Sequence, residues 1–199
     1  MTTRDMAKKA VRNQISLAAL ARFKTNGFDK TTIEDIAGDV GMSIRTFFRY
    51  FRAKEDVLLA PAVTFSDRFL SEFANQLPDH DLWSALGRAL EAGQTCEKLG
   101  DRQQALEIQQ MVEKTPALLA RQLAIIEQLQ VDATGLAMGA SPEATDLGWC
   151  MTDAIIRSGF SYLRAALCCE KGDTQNTKTI EQLRALMEAL KPAVLVGNR

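Results

Sequence analysis

A chain of 199 residues, 46% of them hydrophobic, has enough apolar side chains for a folded core, which excludes a disordered or collagen-like protein. The net charge of −1 is unevenly distributed, because residues 1–58 hold 11 Lys and Arg against 7 Asp and Glu, whereas the remainder holds 13 against 18. A basic end on an acidic chain localises the attraction for phosphate at that end.

The four cysteines show no CxxC spacing, and a single histidine accompanies them. A zinc site is therefore not expected. No stretch is apolar and long enough for a signal peptide or a membrane span. We expect a cytoplasmic protein that has no metal and no other cofactor.

The N-terminal residues predict a small unit of three helices. Residues 5–26 repeat apolar side chains at helical spacing and predict the first helix. Gly27 ends this helix as its C-cap. Thr31 or Thr32 then caps a second, shorter helix, whose acidic first turn complements the helix dipole. With the helix that follows, these elements account for the first 52 residues.

The stretch Thr31–Asp56 combines a tight turn with a basic helix. Gly41 lies in the turn, where a residue without Cβ can adopt positive φ, and Ser43 is a natural N-cap for the helix that follows. We assign to the scaffold Ile36, Ala37, Val40, Gly41, Met42 and Phe47. We assign to the outward, base-reading face Ile44, Arg45, Thr46, Phe48 and Arg49.

This cationic, hydrogen-bonding face suits the reading of base edges in the major groove of DNA. The stretch therefore predicts a helix-turn-helix. A helical hairpin whose polar face is merely solvated is the alternative that the motif leaves open.

The rest of the chain predicts further helices. A fourth runs from about residue 53 to 76 and contains Pro61, which would kink or interrupt it. The last two, at residues 143–170 and 177–195, show the most regular apolar spacing. Breaks between the later helices are predicted at residues 77–81, Gly100, Thr115–Pro116 and residues 141–143. Because strand-like alternation is absent from the sequence, we predict an all-α fold of about nine helices.

Lys54 lies in the first turn of the fourth predicted helix, which is the unfavourable end for a cation unless an anion binds there. The sequence leaves two interpretations open. Lys54 could bind a phosphate together with the helix N-terminus, or it could form a surface pair with Asp56.

Several apolar side chains of the later helices are candidates for an effector pocket, although each is also a natural core residue at helical spacing. They are Trp83, Met111, Met138, Trp149, Met151 and Phe160. These side chains favour an apolar or amphipathic ligand. Arg157 and Arg164 share a helix with this apolar face, where they could receive an anionic head group or form surface pairs.

The run GFDKTTIEDIAGDVGMSIRTFFRYFRAKEDVLL, Gly27–Leu59, resembles the DNA-binding signature of the TetR family of bacterial transcriptional regulators, as does the preceding Ile15-x-x-Ala18-Ala19-x-x-x-Phe23. The resemblance covers roughly the first 60 residues. It implies a DNA-binding domain at residues 1–53 and an effector-binding and dimerisation domain at residues 54–199. It further implies a homodimer on a palindromic operator, acting as a repressor that a small effector releases.

Individual roles follow from the resemblance by position. Thr32 and Lys54 match phosphate-contacting sites, and Thr46 matches a hydroxyl that touches the DNA backbone or a thymine methyl group. Ser43 and Tyr50 are further candidates for phosphate contact. The resemblance also places a dimer seam in the last two helices, to which we assign Ile156, Leu163, Leu183, Met187 and Leu190.

Two residues depart from the family pattern. The family often has glycine at the position of Arg45 and tyrosine at the position of Phe48. Phe48 lacks the hydroxyl and offers only apolar contact, whereas Arg45 adds a bidentate donor suited to guanine. These departures predict a base preference particular to this chain.

Other functions are less well supported by the sequence. It contains no nucleotide-binding glycine loop, nucleophile elbow or metal triad, so we predict no enzymatic activity. A helical adaptor that binds a protein without specific DNA binding is the alternative. It would leave Arg45 and Arg49, beside Phe48, without a role.

Overall fold

A computed structural model describes the backbone of residues 3–94, 99–139, 145–169 and 177–192. All regular secondary structure within these ranges is helical, which confirms the all-α prediction. The nine helices of the described ranges are α1 Thr3–Asn26, α2 Ile33–Asp39, α3 Ile44–Phe47, α4 Lys54–Gln76, α5 Leu82–Gly93, α6 Leu99–Lys114, α7 Pro116–Gly139, α8 Asp146–Cys169 and α9 Thr177–Ala189.

The helix break predicted at Gly100 is wrong, and of the two outcomes predicted at Pro61, a kink or an interruption, the interruption does not occur. Gly100 lies inside α6, whose first residue is Leu99. The first N–H groups of a helix have no intrahelical partner, so a glycine there costs mainly backbone entropy and does not interrupt the hydrogen bonds. Pro61 lies inside α4, which continues through it as one element although the ring removes one N–H donor.

The boundaries of the last three helices agree in part with those predicted from the sequence. Pro116 is the first residue of α7, as the cap–proline pattern predicts. The restart predicted at residues 141–143 lies outside the described residues. α8 begins at Asp146, and the hydroxyl of Thr145 accepts the N–H of Gly148 at 3.0 Å. α9 ends at Ala189, before the predicted residue 195.

By contact, the chain separates into two compact units. We call Met1–Pro61 with Leu106–Gln122 the head unit, and Ala62–Ala105 with Leu123–Arg199 the body unit. The grouping of residues 106–122 with the N-terminal helices is not evident from the sequence. The functional division into residues 1–53 and 54–199 stays a prediction.

Aromatic and branched side chains form the core of the head unit. Phe47 is fully buried and lies 5.9 Å, centroid to centroid, from the ring of Phe51. The remaining buried side chains of α1, α2 and α4 in this unit include Ile15, Ala19, Phe23, Ile36, Ala37, Val57 and Leu58. Arg22 of α1 pairs with Asp39 of α2 through two hydrogen bonds of 2.5 and 2.7 Å.

The corner between α6 and α7 belongs to the head unit through packing and charge. Val112 and Leu118 are fully buried. Glu107 accepts a hydrogen bond from Lys24 of α1 at 2.6 Å. Arg121 donates to Asp56 of α4 at 2.6 Å. Because these ion pairs are exposed or half-exposed, they contribute little free energy to the fold and mainly orient the corner against α1 and α4.

The body unit has a separate apolar core. Phe160 of α8 packs against Phe65 and Phe69 of α4, with ring centroids 6.3 and 5.1 Å away. Gly159 allows close approach of α5, because a Cβ at this position would lie 2.6 Å from a methyl carbon of Leu86. Arg184 of α9 also forms two hydrogen bonds to Glu91 of α5.

The predicted dimer seam needs correction. Ile156, Leu163, Leu183 and Met187 belong to the body core and are at most 7% exposed, whereas Leu190 is 50% exposed. A side chain already buried within its own chain has no surface left for a second copy. The regular spacing of the last helices therefore reflects intrachain packing, which a sequence pattern cannot distinguish from an intersubunit seam.

Two of the predicted pocket residues also have structural roles. Trp83 is buried, and its indole N–H donates to the main-chain carbonyl of Met187 at 2.8 Å. Phe160 is part of the aromatic cluster of the body core. Both side chains are accounted for by packing and by the satisfaction of a buried donor.

The other pocket candidates lie in different surroundings. Trp149 and Met151 are exposed on α8, and Met138 is buried at the end of α7. Met111 belongs to the head unit and is half-buried. The effector pocket stays a prediction.

Candidate nucleic-acid interface

The N-terminus of α2 is closed by a capping box. The hydroxyl of Thr32 accepts the N–H of Asp35 at 3.1 Å, and the carboxylate of Asp35 accepts the N–H and the hydroxyl of Thr32 at 2.9 and 2.7 Å. The backbone hydrogen bond from Thr32 is the main reason that the pKa of Asp35 lies below its usual value. The exposed hydroxyl of Thr32 thus already has a carboxylate partner.

The turn after α2 is a Schellman motif. Gly41 has φ of 66°, and its N–H bonds to the carbonyl of Gly38 at 3.1 Å, while the N–H of Met42 reaches the carbonyl of Ala37 at 2.9 Å. The positive φ predicted for Gly41 is present. This turn sets the direction in which the chain enters α3.

α3 begins with a second side-chain cap. Ser43 accepts the N–H of Thr46 at 3.1 Å through its hydroxyl, and the two hydroxyl groups lie 2.9 Å apart. The regular helix is short and ends at Phe47, after which the N–H groups of Arg49 and Tyr50 bond to carbonyls three residues earlier. The end of the predicted reading face therefore lies in a tightened last turn.

The residues predicted to read bases lie together on the surface. Ile44 and Phe48 are 38% and 50% exposed, so both apolar side chains present surface to solvent. Arg45 and Arg49 are exposed, and neither guanidinium has a hydrogen bond or an ion pair among the described residues. Thr46 is half-buried at the same turn.

The predicted scaffold residues face the opposite way. Ile36, Ala37 and Phe47 are at most 1% exposed. Val40 and Met42 are half-buried. Burial of one side of this segment leaves the other side to solvent, as helix periodicity requires.

A contact that was not predicted fixes the end of α3. Arg12 of α1 donates to the main-chain carbonyl of Tyr50 at 3.2 Å, and its guanidinium lies 4.6 Å from the centroid of the Phe51 ring. Tyr50 itself is half-buried. Because Arg12 and Tyr50 are 38 positions apart, local sequence patterns contain no signal for their contact.

Lys54 crosses to the link between α1 and α2. Its ammonium donates to the carbonyls of Phe28 at 2.9 Å and Thr31 at 3.1 Å, and lies 3.5 Å from that of Asp29. The same nitrogen is 4.4 Å from the centroid of the Phe28 ring. The phosphate role assigned to Lys54 stays a prediction, but its donors are directed at main-chain oxygens.

Asp56 caps the start of α4. One carboxylate oxygen accepts the N–H groups of Arg52 and Ala53 at 3.2 and 3.1 Å, and the other accepts Arg121. An acidic side chain at this position complements the helix dipole. Asp56 thus pairs with Arg121, and the surface pair with Lys54 that the sequence left open does not form.

Arg157 forms the surface pairs that the sequence offered as one of its options. It donates to Asp153 at 2.6 Å and to both carboxylate oxygens of Glu127 at 2.7 and 2.8 Å. These hydrogen bonds raise the pKa of Arg157 above its usual value. In the described part of the chain, no cluster of three or more His, Cys, Asp or Glu could hold a metal, and no helix could cross a membrane.

A buried three-helix scaffold, a Schellman turn and a capped helix with an exposed cationic face together define a helix-turn-helix protein. Residues 15–60 match the family model of the bacterial regulatory proteins of the tetR family. The chain is also 32% identical, over 132 residues, to the HTH-type transcriptional regulator TcmR of Streptomyces glaucescens, an alignment that covers 64% of this chain and 58% of that relative. These two matches support a regulator of the TetR family, and the match to the family model is confined to the helix-turn-helix region.

Two solved structures align with most of this chain. A protein of Mesorhizobium loti assigned to the TetR family of transcriptional regulators aligns over 94% of this chain and 96% of its own, with a TM-score of 0.52 and 20% identity. PfmR, a TetR family transcriptional regulator of Thermus thermophilus, aligns over 89% and 96% with a TM-score of 0.49 and 17% identity. The likeness to the Mesorhizobium loti protein supports the fold.

Proposed function

We propose that the protein regulates transcription by binding double-stranded DNA through the exposed face of residues 44–49, which comprise α3 and the start of the turn after it and which we call the α3 segment. The observation that carries the proposal is that two exposed arginines, Arg45 and Arg49, flank the exposed Phe48 in the sequence. Exposing apolar surface beside unpaired cations has a cost for a small folded unit, and a DNA groove offers partners for both.

The proposed base contacts follow from side-chain chemistry. Arg45 presents a planar fork that matches the two acceptors of guanine in the major groove, and Arg49 can do the same one turn further on. Phe48 and Ile44 offer apolar surface to thymine methyl groups. Thr46 adds a hydroxyl at the start of this face.

The proposed phosphate contacts involve neutral donors around the same segment. Ser43, Thr32 and Tyr50 carry hydroxyl groups near the two helix starts and the end of α3. Contacts to phosphate position a reader on the duplex without specifying sequence. The hydroxyl of Thr32 would have to exchange its bond to Asp35 for one to a phosphate.

A palindromic operator requires two readers, and we propose that the protein acts as a homodimer. Leu147, Met151, Ala154 and Ala165 lie on α8 at spacings that place them on one face, and all four are exposed. This apolar face, together with Leu190 of α9, replaces the seam expected from the sequence. Dimeric helix-turn-helix proteins present their reading helices about 34–36 Å apart.

We further propose that the protein is a repressor. A small apolar or amphipathic effector releases it from the operator. An effector lowers operator affinity only by binding better to the conformation in which the two readers do not fit the operator. Along the chain, α4 and α7 pass from the head unit into the body unit, and α6 passes from the body unit into the head unit. These helices are the covalent routes by which a change in the body could reach the reader.

Binding to the DNA upstream of the protein's own coding sequence tests the proposal. Affinity is measured by fluorescence anisotropy for this duplex and for a shuffled duplex of equal composition, at several salt concentrations. We expect tighter binding to the native duplex, with affinity that falls steeply as salt increases because counterions are released from phosphate. Equal affinities would contradict a sequence-specific regulator, and no binding to either duplex at low salt would favour the adaptor.

A further inference from the structure

The end of the α3 segment is held from outside the motif. α3 comprises only Ile44–Phe47, and a helix of that length is not stable through its own hydrogen bonds. The last carbonyls of a helix also lack an intrahelical donor. The carbonyl of Tyr50, directly after the α3 segment, accepts a hydrogen bond from Arg12 of α1 at 3.2 Å. The donor for this end of the segment therefore comes from a residue 38 positions earlier in the chain.

Arg12 makes a second contact at the same place. Its guanidinium lies 4.6 Å from the centroid of the Phe51 ring, a distance at which a cation is attracted to an aromatic face. Phe51 is 3% exposed, and its ring lies 5.9 Å from the buried ring of Phe47 in α3. A guanidinium can make both contacts, because its donors lie in its plane while its face stacks on a ring. One side chain thus binds the main chain and the aromatic ring that end the segment.

The carbonyl of Tyr50 is a favourable partner for a cation. Carbonyl groups at the C-terminal end of a helical segment carry partial negative charge. The Arg12 side chain is half-buried, so its hydrogen bond is partly shielded from water. A charge-assisted hydrogen bond in these surroundings is stronger than one between neutral groups.

α1 also holds the other helix of the motif at its end. Arg22 donates two hydrogen bonds to the carboxylate of Asp39, the last residue of α2. The ends of α2 and of the α3 segment are therefore attached to two arginines of α1. Positions 12 and 22 of a helix are about 15 Å apart along its axis. Two separate attachments to one helix restrict the direction of α3 relative to α2.

We propose that Arg12 is a positioning residue for DNA reading. It fixes the end of the α3 segment against α1 and thereby the direction in which Phe48 and Arg49 meet the bases. The inference rests on the proposed function, because this direction matters only if the segment reads DNA. A residue that acts through the geometry of the reading face affects the recognition of bases more than the attraction to phosphate.

Amide hydrogen exchange tests the attachment without DNA. Arg12→Met removes the donor and the charge, and Lys8→Met, the control, removes a charge from an exposed position about one turn earlier on α1. The amides of Tyr50 and Phe51 bond to the carbonyl of Phe47, so their exchange reports on the last turn. We expect exchange at both amides to accelerate about tenfold in Arg12→Met and to stay unchanged in Lys8→Met. The amides of α2 should exchange at the wild-type rate in both variants.

Unchanged exchange at Tyr50 and Phe51 in Arg12→Met would overturn the proposal. Equal acceleration in α2 and at these amides would overturn it as well, because that pattern identifies a general destabilisation of the head unit. Nuclear Overhauser effects between the Arg12 side chain and the Phe51 ring test the same attachment in the wild type, so the test does not depend on the folding of a variant. Their absence would also overturn the proposal. These measurements use no DNA, so they decide the attachment separately from the proposed function.

Binding to the native and shuffled duplexes tests the consequence for recognition. We expect Arg12→Met to lose about tenfold in affinity for the native duplex and less than about twofold for the shuffled one, with the salt slope of the wild type. Lys8→Met should change both affinities by the same factor. Equal losses on the two duplexes for Arg12→Met would overturn the proposal. A salt slope smaller in magnitude by about 0.9, the value for one lost phosphate contact, would do so too.

Discussion

Neighbouring residues of the α3 segment have opposite roles, and exposure separates them. Phe47 is fully buried, whereas Phe48, in edge-to-face contact with it at 5.8 Å, is half exposed. Arg45 and Arg49 extend from the same exposed side. One buried ring thus supports the surface that its neighbours present.

Replacing each of the two rings by alanine separates support from recognition. Phe47→Ala removes a fully buried ring, and we expect the free energy of unfolding to fall by about 3–5 kcal/mol in chemical denaturation. Phe48→Ala removes a half-exposed ring, and we expect a stability change within about 0.5 kcal/mol together with weaker operator binding. Unchanged operator affinity in folded Phe48→Ala would contradict its place on the reading face.

Arg45 is expected to determine the base preferred at one operator position. Arg45→Ala should lose about 1–3 kcal/mol of discrimination there, because a bidentate contact to guanine disappears. Binding to a set of single-base operator variants measures this loss. Arg88→Ala, which removes an exposed arginine from α5 of the body unit, is the matched control and should change neither affinity nor preference. Equal losses on operator and shuffled DNA for Arg45→Ala would contradict base reading.

At the scale of elements, short-range hydrogen bonds fix where each head helix begins and ends. Thr32 and Ser43 cap α2 and α3 through bonds that span three residues. Gly41 closes α2 through bonds that span three and five residues. Such contacts depend only on neighbouring residue types, so the sequence predicts them well.

Two glycines of this segment form a matched pair. An added Cβ meets no atom within 4 Å at either Gly38 or Gly41, so only backbone conformation distinguishes them. Gly41→Ala forces an alanine to φ of 66°, and we expect it to destabilise the protein by about 1–2 kcal/mol. Gly38→Ala lies inside α2 and should stabilise it by about 0.5–1 kcal/mol. Thermal and chemical denaturation measure both changes, and equal signs would contradict the role of the turn.

For the whole molecule, the central prediction is assembly through the exposed apolar face of α8. Ala154→Glu places a charge on this face, and we expect light scattering to show monomers where the wild type forms dimers. Ala124→Glu, an exposed alanine of α7, is the control and should remain dimeric. A monomeric wild type at micromolar concentration would refute the dimer, and dimeric Ala154→Glu would refute this location for the seam.

Much of the helical fold and the residue types of the reading face could be predicted, because both depend on periodicity and on caps within a few positions of the chain. Ile44, Arg45, Phe48 and Arg49 are all exposed, as the helical pattern predicts. The partners of buried or charged groups could not be predicted. Trp83 and Phe160 were candidates for a pocket, and their places in the body core depend on helices far away in sequence.

The sequence by itself determined that the chain is helical, that its N-terminal part contains a helix-turn-helix, and where that motif turns. The tertiary structure decided three further matters: the apolar stripes of α8 and α9 pack inside the chain, residues 106–122 join the head unit, and Lys54 binds main-chain carbonyls. The physical reason is the separation in sequence between the residues that are in contact. Caps and turns are settled between residues within five positions of one another, whereas the ammonium of Lys54 meets partners 23 to 26 positions away that only the folded chain brings together.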